Sequence, residues 1–297
     1  MSFEVTEAMV QQYRGNIALL SQQKRSVLEP HVRVETIHAE FEYFDQIGTV
    51  EAQPKNGRHA DTPLMDTPHY RRRVTSSPYN WADMVDNTDR LRMLADPTSP
   101  YAQNAVMAFN RQKDKIIIDA AFGDVYTGKE GKTVLQFPST QIVTTAGASG
   151  TGAPTDGLTI EKLLAAREML WRAEVDEMMP LYCVCSARQL TDMLKTTEVK
   201  SADYNTVKAL AQGQLNSFMG FTFIRSELLP YSAADTTRDC LIYAKDGILL
   251  AKAEDITVRV SERADKNYST QVYVEMDLGG TRMEESKVIK VRCKETM

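Results

Sequence analysis

DPTSPYAQNAVMAFNRQKDKIIIDAAFGD, residues 96–124, is the stretch from which the fold is read. Ser99 can cap a helix, Pro100 suits its first position, long-chain and Ala residues fill the body, and Gly123 closes it. About 23 residues at roughly 1.5 Å each predict a rod of about 35 Å. Ala102, Ala105, Phe109, Ile116, Ile117 and Ala120 form one stripe, opposite Asn104, Arg111 and Asp114. The spacing predicts a long helix laid over one face of a sheet.

Upstream, residues 1–29 read as an amphipathic helical arm, with Met9, Tyr13, Ile17, Leu20 and Val27 at helical spacing and Pro30 as its end. Residues 31–53 alternate in strand fashion through Val32, Val34, Phe41, Tyr43, Ile47 and Val50. Prolines 54, 63, 68 and 78 and the pair Asn56-Gly57 then forbid regular structure, and residues 70–81 read as a returning strand. This long hairpin has a polar tip and few core-forming residues, so it is suited to work at a partner's surface. Arg71-Arg72-Arg73 within it is the dense basic run, read either as contacts to an acidic neighbour (or, less readily, DNA phosphates) or as a solvated strand.

Downstream, the Gly-, Ala-, Ser- and Thr-rich residues 144–157 separate two parts of the fold. Thr159 can cap a second helix whose expected buried side is Ile160, Leu163, Leu164, Leu170 and Trp171. A strand LYCVCS, a helix ARQLTDMLKT and a strand GFTFIRS complete an alternating α/β region over about 158–240. Four further alternating segments follow to the end, with Asp246-Gly247 and Gly279-Gly280 read as turns.

Composition bounds the function. The 297 residues carry 42% hydrophobic and 25% charged residues, an ordinary globular balance. A net charge of −5 and a pI near 5.5 disfavour a protein that grips nucleic acid through a basic surface. Glu4 and Glu7 stand where a secretory signal carries positive charge, and no run approaches the roughly 20 apolar residues of a membrane helix, so synthesis in the cytosol and no membrane partner are expected.

Catalytic and ligand motifs fail one by one. Gly123 and Gly128-Lys129 have phosphate-loop spacing, but Glu130 follows where Ser or Thr must meet magnesium. Gly131-Lys132-Thr133 has the right ending, with Tyr126 where the first glycine belongs. Cys183 and Cys185 share a strand face, yet Cys240 and Cys293 look isolated, so reduced, packed thiols are expected and not a metal site. His31, His38, His59 and His69 show no ligand or triad spacing, and Glu284-Glu285 and Asp83, Asp86 and Asp89 single out no acid/base couple. No catalytic, cofactor or metal residue is nominated, and an enzyme is the disfavoured alternative.

The order of parts then resembles that of tailed-phage major capsid proteins, the Hong Kong ninety-seven type fold. The segment 96–124 is similar to that family's spine helix. LNSFMGFTFIRSELLP (215–230) resembles the end of its A-domain, and YAKDGILLAKAEDITVRVSER (243–263) with MDLGGTRMEESKVIKV (276–291) its closing P-domain strands. The resemblance implies an α+β fold with an N-terminal arm at 1–30, a P-domain strand and E-loop at 31–80 and the spine helix at 81–125. Connecting loops at 126–157, an A-domain at 158–240 and P-domain strands at 241–297 complete it. It also implies self-assembly into hexamers and pentamers around packaged double-stranded DNA held without sequence-specific binding. A separate scaffolding protein and a portal are expected during assembly, with a decoration protein as an option. A nanocompartment shell of encapsulin type is the alternative within the same fold. Crosslinking, known for some relatives, is not expected from Lys55 and Asn56 at the loop tip.

Overall fold

A computed structural model describes residues 21–54, 57–58, 64–86, 98–145, 148–149, 154, 156–195 and 217–295. In chain order come β1 (Arg33–Thr36), β2 (Phe41–Ile47), β3 (His69–Thr75), β4 (Ser77–Val85), α1 (Thr98–Phe122), β5 (Val125–Thr127) and β6 (Thr133–Leu135). Next are β7 (Ile142–Thr145), β8 (Ala148–Ser149), α2 (Ile160–Arg172), β9 (Leu181–Cys185), α3 (Ala187–Lys195), β10 (Ser217–Phe218) and β11 (Phe221–Arg225). Last are β12 (Tyr231–Ser232), β13 (Thr237–Ala244), β14 (Ile248–Arg263), β15 (Ser269–Arg282) and β16 (Val288–Lys294).

Three sheets result. One is a ribbon, in the order β1-β14-β15-β4, built on the 16-residue β14 and the 14-residue β15. The second has β10-β11-β9-β13-β16-β7-β8, with β12 on β13. The third, β2-β3-β5-β6, carries the hairpin. The closing segments therefore divide: β14 and β15 make the ribbon, whereas β13 and β16 pair with each other and join β9.

Strand period explains how the cores form. In β13, Leu241 and Tyr243 face one core with α1 and the ribbon, and Cys240, Ile242 and Ala244 face a second core with α2. A strand buried on both faces needs the unbroken apolar run CLIYA. The same alternation brings Cys183, Cys185, Cys240 and Cys293 onto one side, all free and buried in that second core. The two that look isolated in sequence are thus neighbours of the pair. Hydrogen bonding from Cys185, together with burial, pushes the Cys183 thiol well up, and Cys293 and burial do the same to Cys240, which keeps both protonated.

Helix α1 spans 25 residues, about 37 Å at 1.5 Å per residue. It starts at Thr98, one residue before the expected cap Ser99. Gly123 does follow its end, where a Cβ would lie 2.6 Å from the Asp119 carbonyl oxygen. Ala105, Phe109, Ile116 and Ile117 are buried as the stripe predicts. Asp114, read as part of the solvent face, is only 1% exposed.

The reason lies in the segment before β1. Residues 1–20 of the expected arm lie outside the described residues, and 21–28 are not helical; a short 3-10 turn spans Glu29–His31 around Pro30. The Asp114 carboxylate accepts from the Ser26 hydroxyl at 2.6 Å, from Val27 N and Leu28 N at 3.0 Å each, and from Gln23 Nε2. Those amide hydrogens satisfy a carboxylate and not a helix ladder, so the segment becomes a strap across α1, with Leu28 fully buried. Glu29 extends the clamp to Lys113, at 3.4 Å, and to Lys252; Lys113 also meets Asp255 at 2.5 Å. Burial pushes the Asp255 carboxyl up, but hydrogen bonds from Lys113, Ile256 N and Lys252 outweigh it and hold the pKa at about 2.

Helix α2 is capped by Thr159, whose hydroxyl accepts from Lys162 N at 3.4 Å. Its inward face is Lys162, Leu163, Ala166 and Leu170, while Leu164 and Trp171, expected inside, are about half exposed. The helix is rotated because Lys162 is taken inward: its ammonium donates to the carbonyls of Asp156 at 2.7 Å, Gly157 at 3.0 Å and Arg292 at 3.2 Å. Gly279-Gly280, read as a turn, sits inside β15 instead. A Cβ on Gly279 would lie 2.3 Å from the Thr75 carbonyl oxygen, so the missing side chain admits a crossing backbone.

Candidate assembly surface

The returning hairpin strand is broken at Ser76: β3 pairs with β2, from Phe41 opposite Thr75 to Ile47 opposite His69, and β4 joins the ribbon. The phosphate-loop lookalike completes the hairpin lobe. β5 and β6 pair around Gly128 and Gly131, whose φ of 91° and 61° suit glycine, and β5 adds to β3 through Arg72–Thr127 and Arg73–Tyr126. That segment is a strand–turn–strand, with no helix to receive a phosphate.

Alternation gives the lobe two unlike faces. Phe44 and Val74 point to the body and pack with Ile37, Leu249, Ala251 and Met283. Arg72 on that face is buried; its Nε donates to the Met283 carbonyl at 3.1 Å and its Nη2 pairs with Glu285 at 2.7 Å. Gln46 donates to the same carbonyl at 2.9 Å. Behind Glu285 lies Arg282, fully buried, donating to the carbonyls of Ala121 and Gly123 at 2.8 and 3.0 Å. Burial lowers its pKa. One carboxylate thus faces two guanidiniums at the lobe's root, beside a cleft of about 580 Å³ lined partly by Gln46, Gly48, Pro68, Arg72 and Glu284.

The opposite face carries Phe41, Tyr43, Arg71, Arg73, Tyr126 and Val134. Arg71 pairs with Asp45 at 2.6 Å, and that hydrogen bond holds the Asp45 carboxyl below its ordinary range. Arg73 lies over the rings of Phe41 and Tyr126, 5.4 and 5.5 Å from their centres. The basic run is therefore neither uniformly solvated nor uniformly available: alternation buries its middle member.

The lobe exposes apolar surface out of proportion to its size. Of seventeen exposed large hydrophobic side chains among the described residues, nine belong to it: Phe41, Ile47, Val50, Leu64, Met65, Tyr70, Tyr126, Val134 and Leu135. Apolar exposure concentrated in this way on one lobe points to an interaction site. Among the described residues the singled-out titratable side chains do not gather into one cluster. His31 stacks on Tyr182 at 4.6 Å, His38 and His69 are exposed on other elements, and His59, Asp89, Lys55 and Asn56 lie outside the described residues. Glu284 pairs with Lys287 at 2.7 Å, and Asp83 accepts from Met84 N. Among the described residues no group of three or more His, Cys, Asp or Glu side chains is arranged to hold a metal, and no helix is long and apolar enough to cross a membrane.

The family model for phage capsid proteins matches residues 5–295. The chain belongs to that family. Solved shells agree in fold: the capsid of Ralstonia phage GP4 aligns with a TM-score of 0.74 at 13% identity over 94% of each chain. The capsid of cyanophage Pam1 gives 0.71 at 15% identity, covering 99% of this chain and 98% of that one. The capsid of cyanophage P-SCSP1u gives 0.71 at 16% identity, covering 95% and 92%. No curated protein matches the sequence. The protein is a major capsid protein of the Hong Kong ninety-seven type, a structural component of the virion that forms the head shell.

Proposed function

We propose that this capsid protein tiles the head as hexamers and pentamers, with the hairpin lobe overlapping a neighbouring copy. In this reading the P-domain takes in 81–125 and 241–297 and the A-domain 158–240, with β16 of the closing strands adding to the sheet of the A-domain. A separate scaffolding protein and a portal direct assembly, with a decoration protein as an optional addition. The shell encloses double-stranded DNA without reading its sequence, in keeping with a net charge of −5, and the subunit catalyses nothing.

The observation that carries this reading is the concentration of nine exposed apolar side chains on one lobe. A subunit working alone gains nothing from that surface and is exposed to aggregation by it. Replacing residues 54–66 with a short Gly-Ser linker is expected to leave a soluble subunit with unchanged circular dichroism that cannot close shells, read by gradient sedimentation and negative-stain microscopy. Particles of normal size and yield would refute a part in the overlap for the lobe's tip, which carries Leu64 and Met65.

A further inference from the structure

The three arginines of the hairpin have different environments, and the difference points to a partner. Arg71 has Asp45 and Arg72 has Glu285. Among the described residues no carboxylate lies within ion-pair distance of Arg73, whose Nε donates to the Thr75 hydroxyl at 3.5 Å. Its guanidinium is nevertheless held in place, over the Phe41 and Tyr126 rings. The β5–β6 turn closes on its stem. At Gly131 a Cβ would come within 2.7 Å of Arg73 Cδ and 3.0 Å of Tyr43, and the Tyr43 hydroxyl donates to the Glu130 carbonyl at 3.2 Å.

A flat, ring-flanked guanidinium with fixed position and spare donors has the composition of an interface hot spot, and its ordering cost is already met in the free subunit. Such a fork fits a carboxylate, two N–H groups to two oxygens. Charge decides the source. Around this face Arg71, Arg73, Lys129 and Lys132 outnumber Asp45 and Glu130, on a chain whose overall balance is 40 acidic to 35 basic residues. A second copy therefore presents surplus carboxylates to a locally basic face.

We propose that the outward face of the hairpin sheet, centred on Arg73 between Phe41 and Tyr126, is a receptor for an acidic side chain of a second copy of this chain. This rests on the overlap of the lobe with a neighbour and names the face and the chemistry that make it. Apolar contact by Phe41, Tyr126 and Val134 surrounds the ion pair and excludes water, which strengthens it.

The test uses the full chain produced together with the other head-assembly proteins, particle yield being read by gradient sedimentation and folding by thermal unfolding. Arg73→Ala is expected to lower particle yield about ten-fold or more, the effect of removing one partner of a desolvated ion pair. Arg73→Lys, which keeps the charge but not the fork, is expected to lose at least about three-fold. Should the alanine variant fail to fold, the lysine variant carries the test, and wild-type yield from whichever folds overturns the proposal. Particles formed without packaged DNA separate the alternative anion. Loss of yield there supports the carboxylate, whereas normal empty shells with loss confined to DNA-filled heads would overturn it in favour of phosphate. The two levels are separated by a combined variant, the 54–66 replacement with Phe41→Ser and Val134→Ser: normal shells from it sink the lobe's role itself, whereas shells from the Arg73 variants alone sink only the receptor.

Discussion

Replacing Asp114 with alanine takes away the acceptor on which the strap before β1 is wound. Two backbone N–H groups, those of Val27 and the fully buried Leu28, lose their partner together with the Ser26 hydroxyl and the Gln23 amide. Left in place, the two amides alone cost about 1–3 kcal/mol each. The chain has a cheaper course. Lifting residues 21–29 off α1 exposes Leu28, at about 1.5–3 kcal/mol, and breaks the ion pairs of Glu29, whose charges water solvates again. It also returns backbone freedom of about 1 kcal/mol per residue. Release of the strap, and not unfolding of the body, is therefore expected.

The two outcomes differ in what is measured. Release lowers Tm by only a few degrees, since about 1 kcal/mol corresponds to roughly 2 °C in a chain this long. It makes the amides of Val27 and Leu28 exchange at least about a hundred-fold faster, each factor of ten being about 1.4 kcal/mol. Trypsin cleavage after the exposed Lys24 and Arg25 accelerates in parallel. Hydrogen-exchange mass spectrometry of the peptides spanning 22–32 reads this directly. Wild-type protection in Asp114→Ala, with unchanged cleavage, would show that other contacts hold the strap and that the carboxylate is not its anchor.

Two further expectations follow from burial and charge. Burial, with the ammonium of Lys245 nearby, lowers the pKa of His31 from its ordinary 6.5, so the fold favours the neutral imidazole packed on Tyr182. The unfolded chain then takes up a proton first; the contribution is fully present above about pH 6.5 and lost as pH falls through the depressed folded value. Urea midpoints at pH 7.5 and 5.5 are expected to differ less for His31→Phe than for the wild type, and equal differences would remove His31 from the acid response. On α2, Leu163→Ala is expected to cost about 2–5 kcal/mol and Trp171→Ala under about 1 kcal/mol, because Leu163 is fully buried and Trp171 is half exposed. Equal losses in chemical denaturation would mean that the helix faces are assigned the wrong way round.

What could be read from sequence was whatever a local pattern decides. Phe109, Ile116 and Ile117 recur at helical spacing, Gly123 can only end their helix, and the alternation of β2 and β3 announces a hairpin. What escaped depends on partners distant in the chain. Asp114 and Lys162 are polar residues at positions that a periodic reading assigns to solvent or leaves unassigned, and each is buried to satisfy backbone groups, amides 86 or more residues away for Asp114 and a carbonyl 130 away for Lys162. Lys162 entering the core is what turns Leu164 and Trp171 outward. The signal available for Gly279 was its lack of a side chain, which marks a turn or a close approach equally well until the crossing strand is known. The four cysteines converge because β9, β13 and β16 are neighbours, a pairing no spacing reveals. The lobe's exposed side chains were legible only as a hairpin poor in core-forming residues.

The two regions of the subunit are built on opposite principles, and that contrast bears on how a shell closes. In the body, strands such as β13 are buried on both faces, and the charged groups brought inside have found hydrogen-bond partners, backbone carbonyls for Lys162 and backbone amides with the Ser26 hydroxyl for Asp114. Its shape is settled before any neighbour arrives. The lobe has only the small core around Val74 and Met283, and its other face is exposed. An exposed aliphatic or aromatic side chain contributes about 1.5–3 kcal/mol at most when fully covered, and association itself costs several kcal/mol, so one such contact holds two subunits only loosely. Loose contacts let misplaced subunits leave, and a closed shell becomes stable because every copy then makes several contacts at once. Strengthening a single lobe contact is therefore expected to harm assembly as surely as removing it, by trapping incomplete shells: Val134→Trp, which adds aromatic area to the outward face, should raise the fraction of partial and aberrant particles in negative-stain images, and wild-type geometry at higher yield would show that assembly is limited by affinity and not by reversibility.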